Sequence, residues 1–194
     1  MSTTTISNPV VRTVDGTEVP AAGAYGIDAS HSHVGFSVRH VMVSRTKGRF
    51  ADLRGQVVIA EDPLESSVEV EIDAASIDTR DEKRDEHLRS ADFLDVEHHP
   101  TLTYRSRSVA PAGRDHWVVE GDLTVRGVTR SVPLDVVFEG GAQDPWGGER
   151  IGFTATAELD REAFGLTWNQ ALETGGVLVG KAVKIEIEAE AVRQ

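Results

Sequence analysis

A chain of 194 residues, 39% of them apolar, suits one domain with a sizeable core. Its 32 acidic and 20 basic residues leave a formal charge of -12, which makes it a poor candidate for wrapping nucleic acid or coating an anionic membrane. The absence of cysteine removes disulfide scaffolds, thiol catalysis, Fe–S clusters and cysteine-based zinc sites together, and no apolar run approaches the ~20 residues of a membrane-spanning helix.

Residues 1–23 read as a flexible N-terminal tail: Met1 to Ser7 is rich in Ser and Thr, and Pro9, Gly16, Pro20 and Gly23 interrupt any period. No Lys or Arg precedes Arg12 and no apolar core lies ahead of Ala22-Gly23-Ala24, so the pattern is not that of a secretory leader and the expected location is cytoplasmic. From residue 24 on, the hydrophobic period is close to two. Val34, Phe36 and Val38 alternate with Gly35, Ser37 and Arg39; Val68, Val70 and Ile72 alternate with Glu69, Glu71 and Asp73. The same alternation runs through Leu102 and Tyr104, then Trp117 to Val125, Val132 to Phe138, Ile151 to Leu159 and Val183 to Ala189. About eight strands, each with one apolar and one polar side, predict an all-β antiparallel barrel or sandwich.

One segment departs from this period. Thr79-x-x-Glu82 reads as a capping box, and the charged run that follows, free of Gly and Pro, predicts a single short helix over about 81–90. Residues 165–180 form a second irregular stretch.

Few motifs carry chemistry. Gly175 to Ala182 nearly spells a phosphate-binding loop, but Ala182 stands where Ser or Thr is needed and a strand follows where a helix is needed. The His pairs His31/His33 and His98/His99 lack the third and fourth ligands of a local metal site, and no nucleophile elbow or paired acid and base is visible. The charge distribution is more informative. From Ala29 to Ala51 there is no acid, while Arg39, Arg45, Lys47 and Arg49 supply four positive charges, a local sign reversal that suits either an anion site or pairing with the acidic helix.

Five blocks then occur in a recognisable order. Tyr25 to His40, with Gly48-Arg49-Phe50, opens the series; Arg84 to Val96 and His99 to Tyr104 follow; Gly121 to Leu134 is the most specific; Arg161 to Leu166 and the Val183 to Glu190 strand complete it. Over about residues 24–192 the chain resembles the YceI-like family of lipocalin-like, polyisoprenoid-binding proteins. The resemblance implies an eight-stranded antiparallel barrel whose interior holds a long isoprenoid or other lipid-like chain. It implies neither catalysis nor a cofactor. Two features depart from the common pattern: a Ser/Thr-rich tail replaces a secretory signal, and Tyr25 stands in place of Trp.

The residues agree with such a pocket. An eight-stranded barrel is wide enough to hold one small ligand, and small inward residues such as Gly121, Ala155, Ala157 and Ala189 would leave it partly unfilled. The expected lining is Phe36, Val38, His40, Phe50, Val70, Ile72, Tyr104, Trp117, Val119, Leu123 and Phe153. The head-group candidates are His31, Ser32, Arg39, Arg45 and Arg49, in or beside the acid-free segment. The expected partner is an isoprenoid or similar small molecule, with no nucleic acid, no metal and no stable membrane insertion. A homodimer is the expected oligomer on base rates. A ligand-free packed barrel serving as an interaction module and an enzyme acting on isoprenoid lipids are the competing readings.

Overall fold

The computed structural model describes residues 10–173 and 175–194. The chain runs through β3 (Gly23–Ile27), β4 (His33–His40), β5 (Ser44–Phe50), β6 (Leu53–Ile59), β7 (Ser67–Asp73), β8 (Ile77–Asp78), helix α1 (Glu82–Arg89), β9 (Thr101–Pro111), β10 (His116–Val125), β11 (Val128–Gln143), β12 (Glu149–Asp160) and β13 (Val179–Arg193). Two shorter strands, β1 (Val11–Val14) and β2 (Thr17–Pro20), precede them. The three pairs β3/β4, β5/β6 and β7/β8 are each one long strand interrupted by a short break. The result is eight antiparallel staves, each hydrogen-bonded to its neighbours in sequence. β13 closes the ring against β4 through Val183↔Val38 and Ile185↔Phe36, and against β3 through Ala191↔Ile27. Closure gives every stave two hydrogen-bonded neighbours, which removes most of the usual template for strand addition, although β5 meets β8 at only two rungs, Arg49↔Asp78 and Phe50↔Ile77.

The period-two pattern fixes which face is inside. Paired residues in an antiparallel ladder share a face, so Phe36 and Ile185, or Val70 and Tyr104, meet within the barrel. Two glycines make room for the larger rings. A Cβ on Gly48 would lie 2.4 Å from the Phe36 ring, and one on Gly121 would lie 2.4 Å from the Tyr104 ring. Where β9 meets β10 the register shifts at Glu120/Gly121. The inward parity of β9 therefore moves from Leu102 and Tyr104 to Val109.

The expected helix is present as α1, but its cap differs. Asp81, not Thr79, accepts from the Arg84 N–H at 3.1 Å. Thr79 is drawn into the end of the barrel instead. Its N–H and hydroxyl both donate to Asp85, which is buried on the inner face of the helix, and its hydroxyl accepts from Arg84 Nε at 2.7 Å. The aspartate wins because it sits directly ahead of the first helical residue with extended backbone, the geometry a capping side chain requires. Beyond α1, Phe93 and Leu94 are buried and fill one end of the barrel together with Phe164 and Leu166. The expected irregular stretch is found between Gly165 and Leu178, carrying one isolated bridge, Ala171↔Val177, and no helix begins at the Gly-rich run.

The opposite end departs from the sequence reading. Residues 1–9 of the expected tail lie outside the described residues, but Val11–Pro20 form an antiparallel hairpin that packs against the barrel. Val19 is 2% exposed, the Ala21 N–H donates to the Val10 carbonyl at 2.8 Å, and Arg12 Nη2 donates to the Ala60 carbonyl at 2.6 Å. Pro and Gly in this segment, read as breakers, serve a strand end and a turn: Asp15-Gly16, both with positive φ, is the turn chemistry of a two-residue hairpin.

Candidate functional site

The barrel contains a partly open cavity of about 360 Å³, lined by side chains from all eight staves. Its wall is overwhelmingly apolar. Ten of the expected lining residues border it: Phe36, Val38, Phe50, Val70, Ile72, Tyr104, Trp117, Val119, Leu123 and Phe153. His40 does not. It continues the inward parity of β4 but lies at the last rung, opposite Ser44 and Val179, where the β4–β5 hairpin is about to turn.

The head-group candidates divide. Arg39 and Arg45 are exposed and directly opposite each other across β4 and β5, and neither borders the cavity. Their positions follow from the strand period, since Arg39 adjoins the inward Val38 and must point outward. Ser32 borders the cavity and also a shallow depression of about 320 Å³, which it shares with His31, His33 and Arg49. Phe50 likewise belongs to both, so the depression and the cavity adjoin at the break between β3 and β4. Ser32 is held there by β13, its hydroxyl donating to the Glu190 carbonyl at 3.2 Å and accepting from the Glu190 N–H at 2.9 Å. Arg49 Nε donates to Asp78 at 3.3 Å on the outer surface.

Two polar side chains of the wall, Tyr104 and Arg161, are already engaged. The Tyr104 hydroxyl is buried and directed at the carbonyls of Val119 (2.9 Å) and Val132 (3.1 Å), and burial pushes its pKa well above the usual tyrosine value. Arg161, which the sequence reading did not place in the barrel, borders the cavity at 5% exposure. Its Nε donates to the Gly180 carbonyl at 2.8 Å, and Nη1 donates to the carbonyls of Leu166 and Trp168. Burial lowers its pKa, yet the cation remains, fixed by backbone oxygens that tie the irregular 165–178 stretch to the barrel end. Alternation could not have revealed it. Asp160 caps a 3₁₀ turn over Arg161–Phe164, and that turn rotates Arg161 inward.

Close to the depression, Asp28, His31 and Glu190 bring three ligand-type atoms within 4.8 Å of one another. Arg150 already occupies this cluster. Its Nη1 donates to Asp28 at 2.8 Å and also to Glu190, while Nε donates to Asp144 at 2.8 Å. Hydrogen bonds from Ser30, Arg150 and His31 hold the Asp28 carboxyl well below the usual carboxylate range. The arrangement is an ion-pair cluster of three carboxylates, Asp28, Asp144 and Glu190, around the single Arg150 guanidinium, and it joins the β3–β4 break, the 144–148 turn and the end of β13. Taken together, the site can enclose a slender apolar molecule and offer it a few polar atoms at one side. No helix among the described residues is long and apolar enough to cross a membrane.

Three comparisons bear on the molecule. The sequence model of one family, described as the YceI-like domain, matches residues 25–191. A UPF0312 protein of Staphylococcus epidermidis is 39% identical over 168 residues, covering 86% of this chain and 95% of that protein. Among solved structures, Burkholderia cenocepacia BcnA superposes with a TM-score of 0.74 at 24% identity, over 84% of this chain and 98% of that one. A polyisoprenoid binding domain from Saccharophagus degradans, implicated in plant cell wall breakdown, superposes with a TM-score of 0.66 at 15% identity, over 90% of this chain and 100% of that one. At those identities both likenesses speak to the fold.

Proposed function

The chain belongs to the YceI-like family, and from that premise we propose that it binds one long isoprenoid or similar lipid-like chain inside the barrel, as a carrier, store or sequestering protein rather than an enzyme. The observation that carries this reading is the almost wholly apolar cavity within the barrel. The name of the Saccharophagus degradans neighbour, a polyisoprenoid binding domain, points to the same class of ligand. Burying one methylene stabilises a complex by about 0.8 kcal/mol, so a long hydrocarbon tail dominates retention. Ordering costs and the ceiling of about 18–21 kcal/mol on noncovalent affinity keep the net value far below the sum. The polar end of the ligand belongs at Ser32, where cavity and depression adjoin, with His31 and Arg49 beside it. A non-enzymatic role is favoured because the Tyr104 hydroxyl and the Arg161 guanidinium of the wall are committed to backbone carbonyls, and a group so held is not free to exchange a proton with a bound molecule.

The test is solvent extraction of the purified full-length protein followed by mass spectrometry, and titration of the delipidated protein with a fluorescent apolar probe. Recovery of an apolar chain near one per barrel, or saturable probe uptake, is expected. Neither lipid nor uptake would leave a packed barrel without a ligand and overturn the proposal. Incubation with a polyprenyl diphosphate should return it unchanged, and turnover would transfer the protein to the enzymes.

A further inference from the structure

The turn joining β4 to β5 breaks two local rules at once. It holds three successive apolar residues, Val41, Met42 and Val43, of which Val43 is 87% and Met42 54% exposed. Val41 and Met42 also have positive φ (45° and 60°), a conformation that favours Gly, Asn or Asp and strains a β-branched residue. A sequence serving only the turn would place polar residues or glycine there. Val177, 38% exposed, comes from the neighbouring stretch, whose Leu178 carbonyl accepts from the Val41 N–H at 2.9 Å. The tip is therefore braced rather than loose, and it presents apolar side chains to water.

Behind the tip lies a cationic collar. Arg39 and Arg45 face each other across the strands, a like-charge pair that weakens a ladder unless something else uses it, and Lys47 follows on the same outer face. Among the described residues none of the three forms an ion pair. Of the acids on neighbouring elements, Asp78 is engaged by Arg49 and Glu162 by Lys181, while Glu186 stands opposite Gly35 on β13 and the 169–178 stretch contributes Glu173.

We propose that this β4–β5 tip docks the protein peripherally on an anionic phospholipid surface, with Met42, Val43 and Val177 entering the headgroup layer and Arg39, Arg45 and Lys47 meeting lipid phosphates. A convex point with three apolar side chains suits a yielding lipid interface. It is too small and protruding for a protein partner, which needs about 1,000 Å² of complementary surface. The net charge of -12 disfavours broad contact with an anionic membrane but weighs less on a point contact, because salt screens charges more than about 8 Å away. The tip's chemistry is independent of what the barrel holds, so the proposal stands or falls apart from the cavity reading.

The experiment is flotation of the full-length protein with vesicles of phosphatidylglycerol and phosphatidylcholine, against phosphatidylcholine alone. Each cation near an anionic surface is worth about a fivefold gain in partition, so Arg39→Gln with Arg45→Gln should lose about 25-fold, and 0.5 M salt should have a similar effect. Met42→Ser with Val43→Ser should weaken binding without removing its salt dependence. These positions are exposed, and unchanged thermal melting verifies the fold of each variant. As an independent measure, Val43→Trp should show a blue-shifted emission on phosphatidylglycerol vesicles and none on phosphatidylcholine. Absence of binding, equal binding to both vesicles, or undiminished binding of the arginine variant would overturn the proposal. So would collar-dependent capture of polyglutamate without vesicle binding, which would assign the tip to an acidic protein.

Discussion

At the scale of single residues, the fold depends on places where a side chain is missing as much as where one is present. Gly121 leaves the space that the Tyr104 ring occupies, and the ring's hydroxyl then reaches the carbonyls of Val119 and Val132. Gly121→Ala should therefore destabilise the protein by about 1–3 kcal/mol through overpacking. Combining it with Tyr104→Leu should cost less than the sum of the single changes, because the clash requires both groups. Denaturant titration of the four proteins checks this, and simple additivity would mean that the ring and the glycine do not share that space. The Arg150 cluster makes a prediction about pH. Asp28 and Asp144 are both held below the usual carboxylate range, Asp28 first by Ser30 and Asp144 first by Arg150. A carboxylate whose folded pKa is depressed adds stability that is complete above its unfolded pKa and is lost as pH falls towards the folded one. The gap in Tm between the native protein and Asp28→Asn should accordingly be full at neutral pH and narrow as pH drops below about 4. A gap that widens on acidification would show that the cluster does not act through ionised Asp28.

At the scale of elements, the N-terminal hairpin is the addition that changes the barrel most. It lies ahead of the region matched by the family, and it covers the end where Tyr25, Ile59, Phe138, Ile151 and Ala191 pack. Val19 and Pro20 also form part of the cavity wall. Because β1 and β2 pair only with each other, they form a sheet of their own, held by side-chain packing and a few hydrogen bonds rather than by a ladder. Local opening of such a unit costs less than global unfolding. Val19→Ala removes buried methyls and should cost about 1–3 kcal/mol, nearly all of it in docking of the hairpin. Trypsin cleavage after Arg12 should then accelerate about tenfold, since 1.4 kcal/mol is a factor of ten, while the barrel melts close to its native temperature. Unchanged cleavage with a lowered melting temperature would mean that the hairpin opens only with the whole barrel.

At the scale of the whole molecule, eight staves closed on one another must either fill their interior or leave a chamber. The later staves decide the matter with small residues: Ala155, Ala157 and Ala189 all border the cavity. Ala157→Trp should fill part of the chamber and reduce extractable lipid, or probe capacity, by at least half without lowering the melting temperature by more than a few degrees. Cavity filling is ordinarily tolerated or stabilising where space already exists. Full capacity in a folded Ala157→Trp protein would place the ligand elsewhere.

The sequence by itself determined the antiparallel strands and ten residues of their inward face, because both follow from a period of two and that period is local; the choice of barrel over sandwich rests on the family resemblance, and the closure of β13 on β3 and β4 decides it. An inward residue at Val34 forces Phe36 and Val38 inward whatever the rest of the chain does, and the same rule sends Arg39 out. The helix was equally legible, since a charged run without Gly or Pro carries its own propensity. What the tertiary structure decided lies where the period stops. Arg161 turns inward on a 3₁₀ turn, Thr79 gives up the cap to hold Asp85, and Val11–Pro20 gains a place only because an apolar barrel end is there to receive it. Each of these outcomes depends on contacts between residues far apart in sequence, and no pattern of neighbours along the chain encodes which distant surface will be vacant.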